Sequence, residues 1–362
     1  MSGSTTHAPA ETPFLPDNRK FLGSKRLLRG WISQSIEEVV GAPKFFLDGF
    51  CGTGSVGLEM ARRGARRVVA VDALRANCAI LEGFAARARA GDSARIDALM
   101  QTLNWLSPTA GYLSRNYGGT YFTMENCGRM DSIREEIERL RAGAEISREE
   151  HAILLASFLL AADRVANTIG QYDAFLKHID SPGRTGSPGR RAGRHLIDDR
   201  VRSRFRLQPL VALDGLRLEV IEGDMTVLAS AIAADVAYYD PPYNQRQYCD
   251  NYHVLENLAR WTKPPLFGKT RKFDRTGLRS PFSRKATAAA ALRALIAATI
   301  APEVFLSYSS EGILTREEIL EILRRRGTVE EIETAYPVFG NGAGVSVRRS
   351  VTERLFHLRI GR

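Results

Sequence analysis

The chain has 362 residues, 44% of them hydrophobic and 25% charged, a balance that suits a globular protein with a sizeable core and excludes a disordered or fibrous one. Its 51 Lys and Arg against 41 Asp and Glu leave a net charge of +10, with a pI near 9.6; such an excess favours a polyanionic partner, because basic side chains displace counterions from phosphates. The four cysteines stand far apart without CxxC or Cys/His spacing, so neither a disulfide framework nor a metal is expected, and no apolar run approaches the roughly 20 residues of a membrane helix.

Residues 1–18 are small, polar and proline-containing. They lack the charged start and apolar centre of a signal peptide, which predicts a flexible tail and a cytoplasmic protein. Residues 45–50 (FFLDGF) form a short apolar run ending in a glycine-rich turn, and VGLEMARRG after it is helical in pattern. A second apolar run, RVVAVD at 67–72, ends on an acid. Strand, glycine turn, helix and strand make a βαβ unit, the seed of a parallel sheet.

In the turn Asp48-Gly-Phe-Cys-Gly-Thr-Gly-Ser55, Gly52 and Gly54 allow positive φ and close approach of a ligand to the backbone. The spacing fits neither a nicotinamide fingerprint nor a phosphate loop. Asp48 would repel a phosphate and suits a cation, such as the amino group of a methionine moiety. Asp72 falls where an acid commonly takes the ribose hydroxyls of an adenosine-bearing cofactor, or else caps the next helix.

Helical patterns at 132–141 and 149–166 then suggest an insertion over residues 85–212. It ends in a Gly-, Pro- and Ser-broken stretch, residues 181–206, with eight Arg against two Asp. Arg190, Arg191 and Arg194 in that stretch are candidates for contacting a DNA backbone, since guanidinium forks fit phosphates; the other reading is a solvated loop. Strand patterns return at 216–224, 236–240 and 303–310, and those at 328–339 and 353–360 suggest a closing antiparallel hairpin. Residues 286–298 are an alanine-rich helix.

Asp240-Pro241-Pro242-Tyr243 follows the apolar run 236–239, so the acid sits at a strand's carboxyl end, where open α/β sheets bind ligands. Two prolines make a rigid turn that aims the Asp240 carboxylate and a proline carbonyl at one point. Two fixed acceptors hold the two N–H bonds of an exocyclic amine and leave its lone pair facing an electrophilic methyl; positioning and electrostatics do most of the work. Tyr243 offers a ring for a flipped-out base. The turn alone leaves adenine, cytosine and RNA open as substrates, and a noncatalytic DNA-binding protein retaining the fold remains the rival of another class.

Taken in order, these motifs resemble the DNA adenine methylase family. Lys20-Phe-Leu-Gly-Ser-Lys25 is similar to its opening segment, Phe50-Cys-Gly-Thr-Gly-Ser55 to its cofactor loop, and Asp240–Tyr243 to its catalytic turn. The resemblance implies a Rossmann-like α/β methyltransferase with a mostly parallel sheet, helices on both faces and a helical, basic insertion for target recognition. Residues 19–84 and 213–362 would form the catalytic domain. It implies S-adenosyl-L-methionine as cofactor and double-stranded DNA as substrate, with a cognate restriction endonuclease as a possible partner. Phe21 would stack near the cofactor, Lys25 would hold its carboxylate, Asp72 its ribose, and Asp224 with Met225 would lie near its adenine. Phe50, Gly52, Gly54 and Ser55 would line its turn. Many relatives carry Asn soon after the acid at 72, whereas Ala73-Leu74-Arg75 follow here. The stretch after the catalytic turn, with Arg246 and Tyr248, resembles one branch of restriction–modification methylases and suggests DNA contacts. Residues 171–175 (QYDAF) suit either DNA contact or a packed helix end. The basic residues 271–285 suit a substrate clamp or a surface loop, and His253 reads as structural rather than as a base.

Overall fold

A chain whose strands are short, apolar and separated by helical segments buries both faces of its sheet, and successive strands then run parallel. The computed structural model describes residues 12–16, 19, 21–90, 93–176, 179, 199–339 and 348–361. Its strands are β1 (Phe45–Asp48), β2 (Arg67–Asp72), β3 (Leu218–Glu222), β4 (Val236–Tyr239), β5 (Glu303–Ser309), β6 (Gly327–Phe339) and β7 (Arg348–Ile360), in one sheet ordered β3-β2-β1-β4-β5-β7-β6. The first five pair in parallel; β7 runs antiparallel to both β5 and β6. The expected hairpin is thus present, and it is inserted with β7 inside and β6 at the edge.

Alternate strand residues serve alternate layers. Phe46, Val68, Ala70, Tyr238 and Phe305 pack with the helices Arg29–Val40 and Ser55–Arg62. Leu47, Val69, Val71, Ala237, Tyr239, Val304 and Leu306 pack with the helices Lys285–Ala298 and Arg316–Arg324 on the other face. The Rossmann-like expectation holds.

A third core joins Met124–Ala142 and Arg148–Val165 to Arg75–Arg89 and His253–Arg260. The Arg75–Arg89 helix contributes to this core and to the sheet core, through Phe84 in one and Leu81 in the other. Its Gly83 makes the crossing possible: a Cβ there would lie 2.2 Å from that of Ala156. The expected helix over 149–166 is observed as Arg148–Val165, started by a capping box between Ser147 and Glu150. Residues 171–175 are not helical; Tyr172 is buried and gives its hydroxyl proton to Asp163 Oδ1 at 2.7 Å. All four cysteines are buried and free. No helix among the described residues is long and apolar enough to cross a membrane.

The chain leaves β1 toward β2 and β3 on one side and resumes through β4 and β5 on the other. The crevice beyond the carboxyl ends of β1 and β4 is therefore the switch point at which such sheets bind ligands. Asp48 and Asp72 end β1 and β2, and Asp240 directly follows β4.

Candidate active site

A cavity of about 420 Å3 opens at this crevice, and Asp48, Asp72, Asp224 and Asp240 all reach it. Phe21, Lys25, Phe50, Gly52, Ser55, Met225, Pro242 and Tyr248 also line it. Residues separated by more than 200 positions thus meet in one place.

The glycine turn is tied to the sheet on both sides, Gly49 N–H donating to Tyr238 O at 2.9 Å and Cys51 N–H to Val71 O at 3.0 Å. Gly52 has φ +54° and Gly54 φ +73°, the left-handed region that glycine adopts without strain. A Cβ on Gly52 would lie 3.0 Å from the Phe21 ring, so the missing side chain is also what lets that ring close over the turn. Phe21 is stacked in turn on Tyr252, with centroids 4.5 Å apart. The Tyr252 hydroxyl oxygen accepts Leu22 N–H at 2.6 Å.

Asp48 is 1% exposed. Its Oδ2 accepts Gly57 N–H at 3.0 Å, in the first turn of the helix Ser55–Arg62, while Oδ1 is buried with no hydrogen-bond partner among the described residues. Burial pushes the carboxyl up to about 7, and Asp240 and Asp72 nearby add to the rise against the Gly57 hydrogen bond. A buried acceptor with no partner is costly unless a ligand satisfies it. Asp72 divides its oxygens between Gly52 N–H, 2.9 Å from Oδ2, and Leu74 N–H, 2.8 Å from Oδ1. It therefore braces the turn and the approach to the next helix, which begins at Arg75 with Leu74, not Asp72, as its N-cap. Asp224 caps the helix Met225–Leu228, its Oδ1 accepting Thr226 N–H at 2.8 Å, and lines the cavity as well.

Lys25 is placed differently from a free cationic anchor. Its Nζ lies 2.8 Å from Asp240 Oδ1 and 3.2 Å from Glu353 Oε1, and 5.0 Å from the Tyr243 ring centre. Burial works against the ammonium charge, but Asp240, Tyr243 and Glu353 outweigh it and hold its pKa well above the ordinary value. Burial raises Asp240 to about 6, Lys25 opposing and Glu353 assisting the rise. Tyr243 packs against Tyr308, centroids 5.7 Å apart. Tyr248 faces the cavity with its hydroxyl donated to Leu22 O at 3.0 Å. Arg246 donates to Gln171 Oε1 at 3.1 Å, which brings two stretches singled out for DNA contact side by side. Arg190, Arg191 and Arg194 lie outside the described residues.

Some of the site was not anticipated. Gln247 exchanges two hydrogen bonds with the Ser280 backbone, at 3.0 and 2.8 Å, and Asp250 gathers Arg275 at 2.8 Å. These contacts draw part of the basic stretch into the cavity wall, where Leu278 to Phe282 stand, and Phe282 meets Phe50 edge-on at 5.3 Å. Glu353 was missed too, although an acid in the apolar run of β7 is a readable sign of a buried partner. His253 is fully buried, its ring nitrogens 2.9 and 2.7 Å from the carbonyls of Asp250 and Thr270. Burial lowers it to about 4, so at pH 7 the neutral ring donates its single N–H to one of these two carbonyls.

Sheet order, glycine turn and acidic crevice together define a class I Rossmann-like methyltransferase. The family model described as D12 class N6 adenine-specific DNA methyltransferase matches residues 21–322, and the chain belongs to that family. It is 30% identical to the type II methyltransferase M.NlaIII of Neisseria lactamica, over 88% of this chain and 92% of the relative. It is also 30% identical to the modification methylase StsI of Streptococcus sanguinis, over 94% of this chain but 52% of the relative. With the type II methyltransferase M.FokI of Planomicrobium okeanokoites it shares 29% identity over 86% of this chain and 47% of that protein. The chain thus spans about half the length of two of these three relatives. The family's description names adenine in DNA, one of the substrates that the catalytic turn alone left open, and a methyltransferase family implies S-adenosylmethionine as methyl donor.

Proposed function

We propose that this chain transfers the methyl group of S-adenosylmethionine to N6 of an adenine turned out of duplex DNA, as the modification component of a restriction–modification system. The observation that carries this reading is the Asp240 carboxylate, its side chain only 13% exposed, opening into the same cavity as the glycine turn, Asp48 and Asp72. The residues fit the cofactor. An acid-lined cavity with an orphaned Asp48 oxygen suits a cationic methionine end, and Phe21 over Gly52 offers an apolar wall beside it. Asp72 would meet the ribose, and Asp224 and Met225 the adenine.

When bound, the cofactor supplies an electrophilic methyl. The protein's part is to hold the acceptor nitrogen in line with it. Asp240 and a carbonyl of the Pro241-Pro242 turn accept the two amine hydrogens and draw the lone pair out of conjugation with the ring. Asp240, pushed up to about 6, is ionised at neutral pH and able to take the proton released as the N–C bond forms. The helical and basic region 85–212 would present the target, together with Arg246 and Gln171.

Incubation with methyl-labelled cofactor and duplex DNA, followed by nucleoside analysis, is expected to give N6-methyladenine. Label in cytosine alone, in RNA alone, or in neither would overturn the reading.

Cofactor affinity should also depend on pH. A cation beside Asp48 favours its ionised form, so binding releases a proton wherever the free carboxyl, at about 7, is still protonated. Affinity is therefore expected to rise from pH 6 to pH 8 and to level off above. Titration calorimetry in buffers of different ionisation heat reads the released proton directly. Asp48→Asn should bind more weakly and without that slope, and a slope unchanged in this variant would remove Asp48 from the cofactor site.

A further inference from the structure

Two carboxylates share one lysine at this site. Glu353 Oε1 lies 3.2 Å from Lys25 Nζ and also accepts the Ser307 hydroxyl at 2.8 Å. Ser307 stands on β5, and Glu353 faces Ser309 of that strand across the antiparallel β5–β7 pair, so the sheet itself sets where this carboxylate is held. The side chains of Lys25, Asp240 and Glu353 are 5%, 13% and 6% exposed, which makes the second acid expensive: a buried ion pair needs one carboxylate, and another adds desolvation and like-charge repulsion. Stability alone gives no reason for it.

The chemistry of Asp240 does. A carboxylate in a private pair with a buried ammonium is held firmly, but much of its charge is neutralised, and a neutralised carboxylate is a weak acceptor for an amine. Without the pair it would be free to rotate. We propose that Glu353 is a positioning residue for methyl transfer, anchoring Lys25 through the Ser307–Glu353 contact and taking part of its charge. Asp240 is thereby fixed in direction yet remains a strong acceptor. Among the described residues its other oxygen, Oδ2, accepts no hydrogen bond, which leaves it to the substrate amine. The inference rests on the reading of Asp240 as that acceptor.

Glu353→Gln keeps the shape and removes the charge. Its single-turnover transfer rate at neutral pH is expected to fall roughly 10- to 100-fold through misplacement and weakening of the acceptor. Cofactor affinity should stay within about twofold, since only the transfer chemistry is perturbed. The acid limb of the pH–rate profile should move to lower pH, because a neighbouring negative charge that opposes ionisation of Asp240 is gone. Glu353→Asp should keep the limb near its wild-type position. Ser307→Ala, which loses one hydrogen bond, is expected to change the rate in the same direction by less, and it serves where Glu353→Gln does not fold. A wild-type limb in both Glu353→Gln and Ser307→Ala, or a rate loss that merely follows thermal stability, would overturn the proposal. Wild-type protein unable to methylate adenine would instead overturn the reading beneath it.

Discussion

Asp240→Asn is expected to bind the cofactor almost as well as the wild type and to transfer its methyl group at least about 10^2- to 10^3-fold more slowly, the scale set by losing one preorganised electrostatic contact to a transition state. The substitution keeps the volume and one carbonyl oxygen, so the turn should retain its form. It removes the charge that meets the developing positive charge on the amine, and it can place an amide N–H where an acceptor is required. The Lys25 ammonium, left with Glu353 as its carboxylate partner, stays paired. Asp240→Ala should be at least as slow. The wild-type pH profile makes the same point without mutation: with the Asp240 carboxyl at about 6, transfer should be full near pH 7.5 and lost as the pH falls through that value, since the protonated acid cannot accept the amine hydrogen. Single-turnover rates on a short duplex, with cofactor affinity measured alongside, separate the chemical loss from any binding loss. Turnover within a few-fold of wild type in Asp240→Asn would displace Asp240 from the centre of the mechanism.

That carboxylate was legible in the sequence because its signal is local. An apolar run, an acid and two prolines specify a strand end and a rigid turn whatever the remainder of the chain does. The glycine turn and the acid ending β2 are local in the same sense, and so are the strongly periodic helices. What escaped depends on contacts between distant segments. Glu353 lies 113 residues beyond Asp240, and only the antiparallel return of β7 beside β5 brings it to Lys25. Reading the last strands as a hairpin was correct, but a hairpin has two possible strands to place against β5, and it is the placement of β7 there that brings Glu353 to the site. The wall formed by Leu278 to Phe282 was similarly hidden: the sequence of 271–285 suits a substrate clamp or a surface loop equally, and the Gln247–Ser280 and Asp250–Arg275 contacts are what bring it to the cavity. Tyr248 was assigned to DNA by its neighbours in the chain; it lines the cavity, and its hydroxyl donates to Leu22 O. A base entering the cavity could still meet its ring.

Lys25 is where the family resemblance and the observed geometry suggest different tasks, and one variant distinguishes them. Lys25→Met keeps an unbranched apolar stem and removes the ammonium. If the lysine serves chiefly to hold the cofactor's carboxylate, the loss of a charge-assisted hydrogen bond of about 1.5–3 kcal/mol should weaken cofactor binding on the order of 10- to 100-fold, with the acid limb unmoved. The geometry predicts another outcome. Without Lys25, Asp240 and Glu353 are two buried carboxylates with no cation between them, and like charges in one site push a carboxyl pKa strongly upward. Asp240, already raised by burial and by Glu353, would then hold a proton at neutral pH. Transfer at pH 7 is therefore expected to fall about 100-fold or more, to recover partly toward pH 9 as that proton leaves, and cofactor affinity to change less than about tenfold. Removing one member of a buried pair also destabilises, by about 3–5 kcal/mol where no proton relieves it, so folding should be followed by denaturant titration. Adding Glu353→Gln to Lys25→Met removes the repulsion that remains, and the double variant should regain activity at pH 7 relative to Lys25→Met. Such a sign reversal, with Glu353→Gln harmful beside Lys25 and beneficial in its absence, is a coupling that two independent sites cannot produce. Additive losses in the double variant would show that Glu353 and Lys25 do not act through Asp240.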